Sequence, residues 1–221
     1  MLTPLALARN AAERGGPFGR GPAAESSPLG GLRWQRIVAG ALVALAVAGA
    51  ATFAEGAYLI AKAGAGQWLL HRAWLRARET GQAVKPWPWA DTYPIARIVA
   101  SRLDADVLVL AGASGRTLAW GPGHLDDSAP LGAAGNAVVS AHRDTHFRFL
   151  RDIAVGDDVV VELADGARRR YTVRERYVAD VRSLRLPRTT IVPTLTLVTC
   201  YPFDAVIPGG PLRFVVVAEA A

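Results

Sequence analysis

An uncharged apolar run at residues 37–54 limits what this chain can fold into more than any other feature of its sequence. As a helix, this run would be about 27 Å long, close to the roughly 30 Å thickness of a bilayer's hydrocarbon core. Such a helix would have no polar face, which argues against a buried core helix. A cleaved signal peptide is the other alternative, because Ala48, Gly49 and Ala50 could form a cleavage site. The long segment before the run favours an uncleaved membrane anchor at 37–57.

The segments on either side of the run have different compositions. Residues 1–36 are rich in Gly, Pro, Ala and Ser and lack a hydrophobic period, which predicts a disordered tail. Residues 58–82 look helical and combine Trp with Arg, a pair that suits a membrane interface. Pro86, Pro88 and Pro94 then prevent a continuous helix. The predicted order is a cytoplasmic tail (1–36), a transmembrane anchor (37–57), a juxtamembrane helix with a Pro/Trp connector (58–90) and a folded domain (91–221).

The distribution of charge argues against nucleic acid as a partner of the folded domain. Residues 1–90 contain ten Lys or Arg and four Asp or Glu, whereas residues 91–221 contain fifteen of each. Phosphate binding needs a basic face, and a neutral domain does not supply one. The basic N-terminal part suits the cytoplasmic side of a membrane.

Short runs rich in Val, Ile and Leu predict that the folded domain is mainly β. They lie at 95–101, 106–111, 136–141, 158–163, 168–178, 194–200 and 212–218. Asp165 and Gly166 stand between two alternating runs, as expected of a hairpin turn. A short helix is predicted over 147–153, with Asp144 or Thr145 as its N-cap. Seven or eight short strands with few helices predict a closed barrel or a sandwich.

Three residues at strand ends could carry chemistry. The only cysteine, Cys200, ends the run TLTLVTC, His142 follows another β-run, and Arg213 lies near the start of the last one. A lone cysteine is more often a small buried residue, but a strand end is a rigid place from which to present a nucleophile. If the three groups converge, the thiol could attack a carbonyl, the imidazole could move the proton and the guanidinium could stabilise the oxyanion.

The motifs around these residues resemble those of the sortase family. TLVTC at 196–200, the upstream His142 and the downstream Arg213 match the pattern TLxTC, His and Arg. The phrases GPGH, HRDTHF, LVTCYPFDA and PGGPLRF look like the sortases of Gram-negative proteobacteria. The resemblance extends over about residues 86–221. It implies a closed eight-stranded sortase β-barrel with one or two short helices, preceded by the transmembrane helix.

The resemblance also implies an activity and its partners. The expected enzyme is a cysteine transpeptidase that cleaves a C-terminal sorting signal of a secreted protein and transfers it to an amine acceptor on the cell surface. Cys200 would be the nucleophile, His142 the acid and base, and Arg213 the oxyanion stabiliser. The anchor would place the domain in the periplasm, as a single-pass protein of the inner membrane. No cofactor, whether metal, flavin or nucleotide, is required.

Some neighbouring residues have competing interpretations. Arg143, beside His142, is the main alternative to Arg213. Asp144 could orient His142 instead of capping a helix. His124 and His146 are interpreted as structural. The loop at 179–193 contains one acid, Asp180, and three arginines, so calcium, which needs several oxygen ligands, is not expected there.

Two other functions remain open from the residues themselves. A zinc hydrolase could use Cys200, His142, His146 and His124 as ligands, although their separations match no compact zinc motif. A membrane-anchored β-barrel binding module with a vestigial thiol is the non-enzymatic alternative.

Overall fold

The computed structural model describes residues 28–207 and 209–221, which form two units divided after Glu55. The elements are helix α1 (Pro28–Thr80), strands β1 (Pro94–Ala100) and β2 (Ala105–Ala111), helix α2 (Gly115–Leu118), and strands β3 (Gly123–His124), β4 (Asn136–Ser140), β5 (Asp158–Leu163), β6 (Arg168–Asp180), β7 (Thr194–Cys200) and β8 (Leu212–Ala220). Two short 3₁₀ helices, Ser101–Leu103 and Arg148–Arg151, complete the second unit.

The first unit contains the apolar part of α1. An eighteen-residue window of this helix has a mean hydropathy of 2.2, and none of that window is buried. Large side chains such as Leu42, Leu45 and Phe53 are exposed. By length and composition, the helix could be a membrane anchor or a signal sequence. The helix starts at Pro28, so residues 28–36 are not part of an irregular tail, and the prediction for 1–27 lies outside the described residues.

The second unit begins with the last turns of α1. Residues 58–80 continue the same helix without a break. The helix stops at Thr80 because Gly81 takes a left-handed conformation, with φ of 68°, and donates its N–H to the Ala77 carbonyl at 2.9 Å. The helix therefore ends two residues before the predicted end at 82, and Pro86, Pro88 and Pro94 lie beyond it.

One face of this helical segment packs on the barrel. Leu70, Ala73, Trp74 and Ala77 have the spacing of a single helical face, and all four are buried. Gln67 Nε2 donates a hydrogen bond to the Trp120 carbonyl at 2.7 Å. At Gly66, a β-carbon would lie 2.1 Å from the Trp120 ring, so only glycine permits this close approach.

The eight strands form a closed barrel in the order β1-β2-β3-β4-β7-β8-β6-β5, and β5 pairs with β1 to close it. This confirms the expected fold. Alternate residues of seven strands fill the interior, and the second 3₁₀ helix and its flanks cover one end. The buried apolar residues include Ala96, Ile98, Val109, Ala137, Val139, Phe147, Leu150, Ile153, Val159, Val161, Val173, Leu195, Leu197, Phe214 and Val216.

The local predictions succeed where the sequence pattern is long. Seven of the strands and the Asp165–Gly166 turn between β5 and β6 lie where the apolar runs indicated. Strand β3 was not predicted, because a strand of two residues is too short to show alternation. Close packing at β3 requires Gly123 of the GPGH phrase, because a β-carbon on this residue would lie 2.4 Å from the Gly112 carbonyl oxygen.

The short helix after His142 differs from its prediction. It is one 3₁₀ turn over Arg148–Arg151, and its N-cap residue is Phe147, which makes no side-chain cap hydrogen bond. The prediction of Asp144 or Thr145 as an N-cap is therefore wrong. Burial of Phe147 and Leu150 in the barrel core positions this turn instead.

Replacing Trp74 by alanine tests the packing of the helix on the barrel. Because Trp74 is only 2% exposed, Trp74→Ala should lower the free energy of unfolding by about 3–5 kcal/mol. Urea denaturation of the detergent-solubilised chain, followed by circular dichroism, measures this change. Trp68, on the same helix, is 57% exposed, and Trp68→Ala should change the free energy by less than about 0.5 kcal/mol. Equal losses in the two variants would contradict the packing.

Candidate active site

The candidate site lies where three neighbouring strands meet at one end of the barrel. β4 and β7 run parallel, with Ser140 opposite Val198, so their carboxyl ends meet at this end. β8 runs antiparallel to β7, and its first residues lie beside the last residues of β7. His142 follows the end of β4 by two residues, as Cys200 follows Val198. The topology therefore brings all three predicted residues to one end of the barrel.

Cys200 and Arg213 are direct cross-strand partners in the β7–β8 register. Directly opposite residues of an antiparallel pair have β-carbons about 4.5–5.5 Å apart. Both side chains are half-buried. A guanidinium at this position is within reach of a carbonyl group that the thiol attacks.

Strand alternation places these residues on the outer face of the barrel. Leu197 and Phe214 belong to the core, so Cys200 and Arg213, each an odd number of residues away, point outward. The same alternation after β4 buries Ala141 and leaves His142 exposed. The Thr199 hydroxyl points inward and donates to the Ala141 carbonyl at 2.7 Å, which ties the ends of β7 and β4 together.

The Arg213 guanidinium is held by the backbone just before it. Its Nη1 donates to the carbonyls of Gly210 at 2.7 Å and Leu212 at 2.9 Å. Nε and Nη2 have no acceptor within residues 28–207 and 209–221. The nearest strand end of β6 carries Asp180, whose pKa is held below its usual value first by hydrogen bonds from Arg182 and to a smaller degree by Arg213. Because Arg182 pairs with Asp180 at 2.7 Å, donors on Arg213 remain for a substrate oxygen.

Arg143 occupies a different environment from Arg213. Its side chain is only 6% exposed, and its guanidinium donates to the carbonyls of Pro202 and Ala205 in the segment that follows Cys200. Its Nε also donates to Asp144 at 3.2 Å. Arg143 therefore holds the β7–β8 connection in place. The carboxylate of Asp144 pairs with this arginine.

His124 and His146, the two histidines that the sequence interpretation treats as structural, are both half-buried. His124 Nε2 lies 2.8 Å from the Ala129 carbonyl oxygen and 3.1 Å from the Ser128 hydroxyl. His146 is half-buried, and burial, together with the nearby His142, holds the pKa of His146 below its usual value. In the part of the chain that the structure describes, no three His, Cys, Asp or Glu side chains are grouped so that they could hold a metal. This arrangement does not favour the zinc alternative.

The outer face of β4 and β7 extends from Cys200 back toward the start of both strands. Val138 and Val198 point outward on these strands and are nearly buried. At the far end, Asn136 Nδ2 donates to the Pro187 carbonyl at 2.9 Å, which pins the β6–β7 loop over the strands. Asn136 Oδ1 accepts from the Thr196 hydroxyl at 2.8 Å. Sequence reasoning missed Asn136, because a single asparagine at the start of a strand carries no pattern.

Comparison with known proteins identifies the family. A family model described as "Sortase domain" matches residues 98–221, which is more than half of the chain. The chain therefore belongs to the sortase family. It is 29% identical over 115 residues to Sortase D of Bacillus subtilis (strain 168), a match that covers 52% of this chain and 58% of the relative. The chain thus spans less than two thirds of that curated relative.

Solved structures agree with this assignment. Sortase A from Corynebacterium diphtheriae is 27% identical, with a TM-score of 0.54 over 60% of this chain and 63% of that one. A Sortase D5 transpeptidase from Clostridium perfringens is 18% identical, with a TM-score of 0.57 over 72% of this chain and 99% of that one. The second likeness supports the fold alone.

The role of Arg143 is tested by its effect on stability. Arg143→Ala would leave two loop carbonyls without their charged donor, so it should lower the free energy of unfolding by about 2–3 kcal/mol. Urea denaturation of the full chain measures this loss. Arg148→Ala is the matched control, because Arg148 is exposed and its removal should change the free energy by less than about 0.5 kcal/mol. An Arg143→Ala protein as stable as the wild type that fails to react would instead place Arg143 at the reacting atoms.

Proposed function

We propose that this chain is a membrane-anchored cysteine transpeptidase. It cleaves a C-terminal sorting signal of a secreted protein through a thioacyl intermediate and transfers the acyl group to an amine on the cell surface. The direct pairing of Cys200 with Arg213, beside the end of β4 that carries His142, is the observation that supports this function most strongly. The phrases HRDTHF and LVTCYPFDA favour the subgroup found in Gram-negative proteobacteria.

The first half of the reaction forms the thioacyl enzyme. The Cys200 thiolate attacks the scissile carbonyl carbon, and the negative charge moves to the carbonyl oxygen. Arg213 stabilises this oxyanion through its free N–H donors. The tetrahedral intermediate collapses, the C–N bond breaks, and the His142 imidazolium gives its proton to the departing nitrogen.

The second half transfers the acyl group. The acceptor amine attacks the thioester carbon, and Arg213 again stabilises the oxyanion. Neutral His142 takes the proton from the attacking nitrogen, and the C–S bond breaks to release the Cys200 thiolate. The enzyme returns to its starting protonation state, since His142 gives one proton and receives one.

The apolar helix supports a location in the membrane. Residues 37–57 would cross the inner membrane once, residues 1–36 would lie in the cytoplasm, and the sortase domain at 91–221 would face the periplasm. The basic N-terminal part supports this orientation. A membrane anchor would keep the enzyme at the membrane, where secreted substrates emerge.

Variants of the three residues test the mechanism. The sortase resemblance implies a sorting motif with Thr-Gly at the cleavage point. The detergent-solubilised chain is therefore incubated with a panel of peptides that contain Thr-Gly and with triglycine, and intact mass spectrometry detects the acyl adduct and the transfer product. Cys200→Ala should form no adduct. His142→Ala should keep a thiol that alkylating reagents label, but it should not transfer. Arg213→Lys keeps the charge and loses the planar fork, so it and Arg213→Ala should each be slowed about 100- to 1,000-fold.

A matched control separates the oxyanion role from general charge. Arg169 lies on β6 and is exposed, and Arg169→Ala should react within about twofold of the wild type. Normal turnover by Arg213→Ala would refute the oxyanion assignment while leaving Cys200 as the nucleophile. A wild-type protein that forms no adduct with any peptide of the panel would count against a transpeptidase with Thr-Gly specificity.

A further inference from the structure

A basic cavity of about 260 Å³ lies beside the candidate active site. Its walls are formed by Arg143, Asp144, Arg148, Arg151 and Phe203. Three of these five residues are arginines, and Asp144 is the only acid among them. The catalytic mechanism above uses none of the five.

The positive charge of this cavity is not neutralised by the protein. No carboxylate of the described residues lies within 4.0 Å of the guanidinium of Arg148 or of Arg151. Arg143 is bound to backbone carbonyls and to Asp144, whose side chain is 67% exposed. The cavity therefore has three guanidinium groups, those of Arg143, Arg148 and Arg151, and one carboxylate, that of Asp144. This excess of positive charge attracts anions.

Phe203 gives this cavity a fixed wall. Its ring packs edge-on against Phe214, with 5.2 Å between the centroids. The Arg151 guanidinium lies 5.8 Å from the centroid of the Phe203 ring. Contact with the ring limits the conformations of Arg151 and keeps its donors near the cavity, which lowers the entropic cost of binding an anion.

The position of the cavity relates it to one step of the reaction. Arg143 and Asp144 directly follow His142, and Phe203 lies in the segment after Cys200, which Arg143 holds. His142 gives a proton to the departing amine and takes one from the entering amine, so both amines occupy its side of the thioester. Val138 and Val198, by contrast, lie on the strands toward their other ends. The cavity is therefore on the side from which an acceptor approaches.

We propose that this cavity binds the acceptor and selects an amine that also carries an anionic group, a carboxylate or a phosphate. This inference rests on the proposed transpeptidase function. The amine would reach the thioester at Cys200 while the anion pairs with Arg148 and Arg151. Arginine suits this role because its planar fork can donate two hydrogen bonds to one carboxylate or phosphate.

Transfer kinetics with matched acceptors test the selection. The full chain in detergent is acylated with a peptide that it cleaves, and transfer to triglycine, triglycinamide and 2-aminoethyl phosphate is compared. An anionic acceptor should have a kcat/KM about tenfold above that of triglycinamide, because a charge-assisted hydrogen bond is lost with the amide. A preference for triglycine identifies a carboxylate, and a preference for 2-aminoethyl phosphate identifies a phosphate.

Variants assign the preference to the cavity. The double variant Arg148→Gln/Arg151→Gln should reduce the tenfold preference to about onefold while hydrolysis of the thioacyl enzyme without acceptor stays within about twofold of the wild type. Arg169→Gln, at an exposed arginine of β6, should keep the preference. Equal rates with triglycine, triglycinamide and 2-aminoethyl phosphate in the wild type, or a double variant that still prefers the anion, would overturn the proposal.

A binding measurement separates this inference from the proposed function. Isothermal titration of the full chain with triglycine and with triglycinamide requires no turnover. Tighter binding of triglycine that disappears in the double variant would support the anionic subsite even if no acyl adduct formed. Equal binding of the two peptides, together with normal adduct formation and no anion preference in transfer, would leave the transpeptidase and refute the subsite.

Discussion

The site depends on the pairing of β7 with two neighbours of opposite direction. Parallel pairing with β4 aligns two strand ends, and antiparallel pairing with β8 brings the start of that strand beside Cys200. Because side chains alternate along a strand, a shift of one residue in either register would turn Cys200 or Arg213 into the core. Closure of the barrel fixes both registers at once, since every strand has two partners. The hydrophobic interior thereby sets the relative positions of the polar groups outside it.

Alternation also separates the roles of two adjacent residues. His142 is exposed at the end of β4, whereas Arg143 is buried and bonds to the carbonyls of Pro202 and Ala205. Burying a guanidinium without hydrogen-bond acceptors would cost much free energy. These two bonds therefore allow Arg143 to be buried beneath the segment that follows Cys200. The contacts join the segment after His142 to the segment after Cys200. The same pair of segments forms the basic cavity, which extends the site toward an acceptor.

The side chains of helix α1 have a different pattern in each of the two units. Its first part exposes a continuous apolar surface, whereas the segment after residue 56 buries Leu70, Trp74 and Ala77 against the barrel. Composition changes along the helix, since residues 37–54 carry no charge and residues 62–79 carry five charged side chains. Periodicity changes too: residues 37–54 are apolar all round, whereas residues 70–77 have a single buried face.

The apolar run, seven of the eight strands and the hairpin turn were predictable from local patterns in the sequence, and the three residues of the proposed mechanism were predicted from motifs of the sortase family. The remaining features depend on contacts between distant parts of the chain. The two-residue strand β3 exists only through its pairing with β2 and β4, and the turn after His142 is set by the burial of Phe147. A family motif favoured Arg213 over Arg143, and long-range contacts show how the two differ: Arg143 donates to the β7–β8 connection, and Arg213 lies opposite Cys200. Hydrogen bonds between residues distant in the chain leave no periodic signal, so only the folded barrel reveals them.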